Sequence, residues 1–204
     1  MVKQNKKVAV FDFDGTLTTR DTMFDFIAFA CGKLKLWLGL ILFAPMIAIM
    51  FMKIIDNNRC KQILLSWYFK GLDYMTFKAL GEKYAERVKV LLRGTTLRIL
   101  QERIEEGCEV YVVSASIKEW VAPICRQLGV NDVLATEFEV NSDGLLTGRF
   151  ACHNCFGQEK VNRLLLVEPN REEYYLYAYG DSRGDKEMFE FADEHINVKR
   201  SACL

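Results

Sequence analysis

The sequence predicts an α/β protein: a doubly wound, mostly parallel sheet with an all-helical insert after its first strand. Three observations predict it. Val8-Ala9-Val10-Phe11 is a short apolar run with β-branched residues, the pattern of a strand buried on both faces, and it ends in Asp12 and Asp14. From Gly94 onward, helical and strand patterns alternate, which is how βαβ units and a parallel sheet read. Between these two parts, from about residue 19 to 87, apolar residues recur at helical spacing and no strand signal interrupts them.

Taken in order, the first strand runs into Thr19-Arg20-Asp21-Thr22, a turn and helix cap. Met23 to about Ala30 is apolar and aromatic with helical spacing. Leu36 to Met52 carries no charged residue, has Pro45 near its middle, and is flanked by Lys33, Lys35 and Lys53. Three readings of that stretch stand side by side: a buried helical hairpin broken at Pro45, an interfacial segment dipping into a bilayer, and a membrane span at the lower limit of length. Asp56 to about Leu92 reads as more helix, with breaks expected at Gly71 and Gly81. Thr95 to Glu106 is an amphipathic helix stopped by Gly107. Val110 to Val113 is a buried strand ending in Ser114-Ala115-Ser116. Lys118 to Leu128 is a helix that contains Pro123, and Val133 to Ala135 is a third strand. Glu137 to Ala151 forms a hairpin around Asn141-Ser142-Asp143-Gly144. A helix over Gln158 to Val167, a strand over Tyr174 to Tyr179, a helix over Lys186 to Ala192 and a last strand over Ile196 to Val198 complete the chain.

Composition narrows the function classes. Half of the 204 residues are hydrophobic, so a sizeable core can be buried. A formal net charge of zero argues against a general nucleic-acid binder, which would present a basic face. Seven scattered cysteines read as reduced cytosolic thiols rather than a disulfide framework. The polar start, Met1 to Lys7, is no signal peptide, and Cys203, being penultimate, fits no prenylation box. A cytoplasmic location is expected, with peripheral contact to the inner membrane if residues 36–52 meet a bilayer. Oligomeric state cannot be read.

Three strand ends carry polar groups: Asp12 and Asp14, Ser114, then Asp181 and Asp185. In a parallel sheet these ends open on one edge, where ligands bind. Lys160 begins a helix between the third and fourth strands. Buried acids need a cationic partner, and Mg²⁺ takes oxygen ligands while sharing a phosphate. Gly15 lets the chain leave the strand sharply, and Thr16, Ser114, Ala115 and Lys160 can offer hydroxyls, amides and charge to an anion. The set reads as a site for a metal and a phosphate. Each member has a duller reading taken alone: an Asp-Gly turn at Asp14, caps at Ser114, Asp181 and Asp185, and a solvated charge at Lys160.

Four blocks resemble the haloacid dehalogenase superfamily of hydrolases: Asp12-Phe13-Asp14-Gly15-Thr16-Leu17-Thr18, Ser114, Lys160, and Gly180-Asp181-Ser182-Arg183-Gly184-Asp185. They stand in the family's order and span the chain. The resemblance implies a Rossmann-like core over residues 1–18 and 88–204, with a helical cap over 19–87 similar to that of the phosphoserine phosphatase branch. More narrowly, the apolar cap segment together with Cys155-Phe156-Gly157-Gln158-Glu159-Lys160-Val161 is similar to the bacterial phosphatidylglycerophosphatase C group. The resemblance also implies roles: Asp12 as nucleophile, Asp14 as acid and base, Ser114 and Lys160 on the transferring phosphoryl group, and Mg²⁺ held by Asp12, the Asp14 carbonyl, Asp181 and Asp185. The substrate class it implies is a phosphomonoester, either a phospholipid phosphate or a small metabolite such as phosphoserine. Dehalogenases of the family lack an acid at the Asp14 position, so phosphoester hydrolysis is favoured. Phosphotransfer or dehalogenation on the same fold, and a membrane-associated lipid-binding protein, are the alternatives.

Arg20, Asp21 and Arg59 lie where substrate contacts from the cap would come. Cys152, His153 and Cys155 form half a zinc site, and packing at the hairpin end is the simpler reading. His195 reads as structural.

Overall fold

The computed structural model describes residues 6–52 and 56–199. The flanking Lys53, most of the polar start and Cys203 lie outside these residues. Five parallel strands form the main sheet: β1 (Lys6–Phe11), β2 (Glu109–Ile117), β3 (Asp132–Thr136), β6 (Tyr174–Gly180) and β7 (Glu194–Asn197), in the order β3-β2-β1-β6-β7. Strand β1 sits at the centre because both of its faces are apolar. Ala9 and Phe11 enter one core with Val110 and Val112, while Val8 and Val10 enter the other with Val113, Leu176 and Ala178. Side chains alternate across a strand, so one short run serves two cores.

Four helices separate β1 from the rest of the sheet: α1 (Met23–Cys31), α2 (Lys33–Phe51), α3 (Asn57–Phe69) and α4 (Tyr74–Val88). The chain enters and leaves them along one seam. Thr19 N donates to Leu91 O and Arg93 N donates to Leu17 O, both at 2.8 Å. Helices α5 (Gly94–Glu105) and α6 (Lys118–Gln127) cover the first core, and α7 (Gln158–Val167) and α8 (Lys186–Phe191) cover the second. The expected hairpin is β4 (Phe138–Val140) with β5 (Leu146–Phe150). Its turn is closed by Asn141 Oδ1, which accepts from the amides of Asp143 and Leu145. Backbone bonds from Gly71 N to Leu146 O and from Tyr74 N to Gly144 O tie this hairpin to the α3–α4 turn.

Two expected helix breaks do not occur. Gly81 lies inside α4 because α4 crosses α6 there, and a Cβ on Gly81 would lie 1.9 Å from Glu119 O. That carbonyl is the one Pro123, lacking an N–H, leaves without its helical donor, so Gly81 and Pro123 are two halves of one close crossing. Pro45 does not break α2 either. A proline removes a single N–H, and the other residues of this 19-residue helix propagate it.

The buried-hairpin reading of residues 36–52 is overturned as well. Only 6 % of the window Lys33–Met50 is buried. Leu36 is buried, and Leu40 and Phe43 pack against the core, whereas Leu34, Trp37, Leu38, Ile41 and Leu42 are exposed. Helix α2 touches α1 and α3 along one stripe, and nothing covers its other side among the described residues.

Candidate active site

The register of the three central strands builds the site. Phe11 pairs with Val112 on β2 and with Tyr179 on β6. Asp12 follows Phe11 by one residue, Ser114 follows Val112 by two, and Asp181 follows Tyr179 by two, so all three stand together on the carboxyl edge. Gly15, at φ +78°, turns the chain back beneath Asp181, and a Cβ there would meet the Asp181 carboxylate at 2.2 Å. Thr18 closes the loop by accepting from Gly15 N and donating to Phe13 O.

Asp12, Asp181 and Asp185 each bring a carboxylate oxygen within 4.8 Å of the other two. Lys160, 3 % exposed, donates to Asp12 Oδ1 at 2.7 Å and to Asp185 Oδ1 at 2.6 Å. The second oxygen of Asp185 accepts from Asp181 N, Ser182 N and Ser182 Oγ, so this residue shapes the loop and aims the lysine. Thr16 Oγ1 donates weakly to Asp12 Oδ2 at 3.4 Å. Burial pushes the Asp12 carboxyl up to about 7 against the Lys160 charge, with Asp185 adding to the rise. Burial also pulls the Lys160 ammonium down, but the charges of Asp12 and Asp185 outweigh it and hold it above the usual range. A cluster of carboxylate oxygens this close offers the kind of donors that a hard divalent cation such as Mg²⁺ takes.

The carboxylate of Asp14 lies outside that cluster. Its Oδ1 accepts from Thr22 N and Thr22 Oγ1, each at 2.7 Å, and its Oδ2 accepts from Ser116 Oγ. Burial raises its pKa, and the charge of Asp21 adds to this. Ser114 Oγ accepts from Ser116 N and keeps its own proton for another acceptor.

These groups open into a cleft of about 530 Å³. Its floor is acidic, and its far wall carries Met23, Phe24, Ile47, Met50 and Leu64 from α1, α2 and α3.

The profile of the haloacid dehalogenase-like hydrolase family matches residues 9–190. The chain belongs to that family. It is 32% identical over 191 residues to Protein CicA of Caulobacter vibrioides, an alignment covering 92% of this chain and 83% of that protein. It is 27% identical over 140 residues to a phosphoserine phosphatase of Mycobacterium tuberculosis, covering 67% of this chain and 45% of that longer protein. A solved phosphoserine phosphatase, holding an analogue of its phospho-aspartyl intermediate, shares the fold with a TM-score of 0.60 at 24% identity, over 95% of this chain and 94% of that one.

Within this haloacid dehalogenase-like site, sequence reasoning named the acids, Ser114 and Lys160. It missed Thr22 and Ser116, which hold Asp14, although the alternation Ser114-Ala115-Ser116 puts both hydroxyls at one strand end. It also missed Lys199, which forms an ion pair with Asp181 Oδ2, and Lys61 of α3, which donates to Ala115 O at 2.7 Å. No spacing in the sequence marks either lysine. Of the expected cap residues, Asp21 lines the cleft but caps α1 through Met23 N, Arg20 pairs with Asp25, and Arg59 lies on an outer groove. Cys155 is buried, its thiol donates to Leu134 O, and burial raises its pKa to about 12, as suits a packing residue. His195 stacks on Phe189 with ring centroids 4.8 Å apart.

Proposed function

We propose that this hydrolase cleaves phosphomonoesters by transferring the phosphoryl group to Asp12. The observation that carries the reading is the convergence of Asp12, Asp181, Asp185, Lys160 and Ser114 on one strand edge, with the separately held Asp14 beside them. Asp12 attacks phosphorus in line and the ester oxygen leaves. Asp14, its carboxyl held high by burial and aimed by Thr22 and Ser116, gives the leaving alcohol its proton. It then takes a proton from the water that hydrolyses the aspartyl-phosphate. Ser114 and Lys160 bind the phosphoryl oxygens, where positioning and charge do most of the work. Asp12, Asp181 and the Asp14 carbonyl would hold Mg²⁺, with Asp185 orienting them. When bound, the ion neutralises charge on the nucleophile and the phosphoryl group. Residues 19–87 act as a cap over the core formed by 1–18 and 88–204, with the seam of Leu17–Thr19 against Leu91–Arg93 as its hinge.

The substrate we infer is a phospholipid phosphate. Ile47 and Met50 belong both to α2 and to the cleft wall, so the exposed apolar helix and the reaction site share one surface. That surface suits an anionic bilayer. Trp37 and Leu38 are exposed for insertion, and Lys33 and Lys35 stand at the same end of the helix to meet lipid headgroups. By length and composition α2 could cross a membrane. Its packing supports lying in the interface instead. Tyr68 of α3 donates to Leu36 O near the start of α2, so α3 runs back along α2, and α3 leads with Asn57, Asn58 and Arg59 beside the cleft. A spanning α2 would draw α3, packed along it, into hydrocarbon with its Lys61, Gln62 and Ser66. The protein is then peripheral, on the cytoplasmic face.

Asp12→Asn is expected to abolish turnover of 4-nitrophenyl phosphate without loss of fold, as is exhaustive chelation. Unchanged turnover in either case overturns the mechanism. In the same assay series, phosphatidylglycerophosphate is expected to exceed O-phosphoserine in kcat/KM, and the reverse order replaces the lipid with a small metabolite. Leu38→Glu with Ile41→Glu is expected to release the protein from anionic vesicles, and retention on them refutes the bilayer contact.

A further inference from the structure

We propose that Lys61 determines specificity by binding a second anionic group, carried on the leaving alcohol of the substrate. The inference rests on the phosphomonoesterase reading above. Lys61 is in the second turn of α3, on the cap side of the cleft, and its ammonium donates to Ala115 O, between Ser114 and Ser116. That carbonyl is its one hydrogen-bond partner among the described residues, and it forms no ion pair there. Two of its three N–H groups are free to bind a ligand.

The other lysines of the site have carboxylate partners. Lys160 spans Asp12 and Asp185, and Lys199 pairs with Asp181. The remaining cation of the cleft, Arg20, is bound to Asp25. An ammonium held in a cleft with one neutral partner is expensive to keep, and an arriving anion repays that cost. Burial accordingly pulls the Lys61 pKa down, while the charge of Asp14 resists the fall most strongly, ahead of Asp21 and Asp12.

Ala115, which accepts from Lys61, stands next to Ser116, whose hydroxyl donates to Asp14. Asp14 marks the ester oxygen that leaves. Lys61 reaches this edge from the cap side of the cleft, so it faces the alcohol rather than the phosphoryl group. On the cap side of the cleft Phe24, Ile47, Met50 and Leu64 are apolar and Asp21 is itself an acid, so none of them offers an anion a positive charge. The anion that fits is a phosphodiester or a carboxylate a few bonds from the ester oxygen. The two share the chemistry Lys61 reads, and they differ in whether they come from a lipid headgroup or from a small hydroxy acid.

Two matched substrate pairs separate these sources. Phosphatidylglycerophosphate differs from phosphatidic acid by a phosphodiester in the leaving group, and O-phosphoserine differs from O-phosphoethanolamine by a carboxylate. The wild-type protein is expected to prefer the anionic member of one pair by at least about tenfold in kcat/KM, the worth of one charge-assisted hydrogen bond. Lys61→Gln is expected to erase that preference mainly through KM, and Lys61→Arg to keep most of it. A preference in the first pair assigns the phosphodiester, and one in the second assigns the carboxylate. The proposal is overturned if the wild type shows no preference in either pair, or if Lys61→Gln lowers both members of a pair equally, since that is what a structural tie between α3 and β2 would do. Cleavage of 4-nitrophenyl phosphate by the wild type and its loss in Asp12→Asn test the underlying phosphatase separately. Their success alongside an absent preference condemns the Lys61 assignment alone.

Discussion

Lys160→Met tests the electrostatics of the site most directly. Methionine nearly conserves the volume of the buried stem and deletes only the ammonium. Lys160 is 3 % exposed and sits 2.7 Å from one carboxylate and 2.6 Å from another, both themselves buried. Breaking a buried ion pair from one side costs about 3–5 kcal/mol, because the partner stays behind uncompensated. In a chain of 204 residues each kcal/mol moves Tm by roughly 2–4 °C. The variant should therefore melt roughly 6–20 °C below wild type by calorimetry or circular dichroism. Mg²⁺ should recover more Tm in the variant than in wild type, since the cation supplies the charge that Asp12 and Asp185 have lost. Turnover should not recover with it. In the proposed mechanism the ammonium also faces the phosphoryl group, and removing one such donor lowers kcat by about 10²–10³. A variant that melts within 3 °C of wild type (~1 kcal/mol) and keeps kcat/KM within about tenfold would show that Lys160 is neither the counter-charge nor the phosphoryl ligand.

Three further outcomes follow from other parts of the molecule. Gly81→Ala drives a Cβ against the Glu119 carbonyl of α6, so a loss of more than about 2 kcal/mol in urea unfolding is expected, and a neutral result would show that the α4–α6 crossing relaxes freely. Ser116→Ala removes one of the donors that aim Asp14. It should slow an alkyl phosphate, which needs the proton, by about tenfold while sparing 4-nitrophenyl phosphate, and equal slowing of both would place Ser116 elsewhere in the reaction. Asp25 accepts from Arg87 Nε at 2.8 Å and from Tyr84 at 2.9 Å, and the Arg87 bond holds its carboxyl below the ordinary range. A lowered carboxylate stabilises the fold above the unfolded pKa and loses that contribution as pH falls through the folded one. Asp25→Asn should thus cost about 1.5–3 kcal/mol at pH 7 and progressively less below pH 4 (~3.9 being the unfolded value), and a pH-independent difference would contradict the charge-based account.

The fold was legible wherever a residue's neighbours in the chain decide its state. The alternation of apolar strands with capped helices, the Asn141 turn and the glycine stops all act within a few residues, so spacing alone exposes them. The same holds for the clustered acids, because a parallel sheet carries every strand end to one edge whatever the helices do between them. Gly81 read wrongly as a break, and Pro123, rightly placed inside a helix, had no visible reason there, both for the opposite reason. Each looks like a helix fault by itself, and each becomes reasonable only where α4 crosses α6 and one proline's missing donor frees the carbonyl that one glycine approaches. Lys61 and Lys199 were illegible as well, since a lysine on a polar helix face or tail is ordinary until the fold turns it toward a cluster of acids.

The sequence by itself determined the parallel core, the helical insert and the hydrolase family, because period, punctuation and the order of four motifs carry that information locally. Only the tertiary structure decided that the apolar helix α2 lies uncovered while sharing a wall with the cleft, that Asp14 is held apart from the other three acids, and that one lysine of the insert reaches the reaction edge. Those facts depend on which surfaces meet when distant segments pack. Hydrophobicity is only a demand for burial, and packing decides which apolar residues receive it.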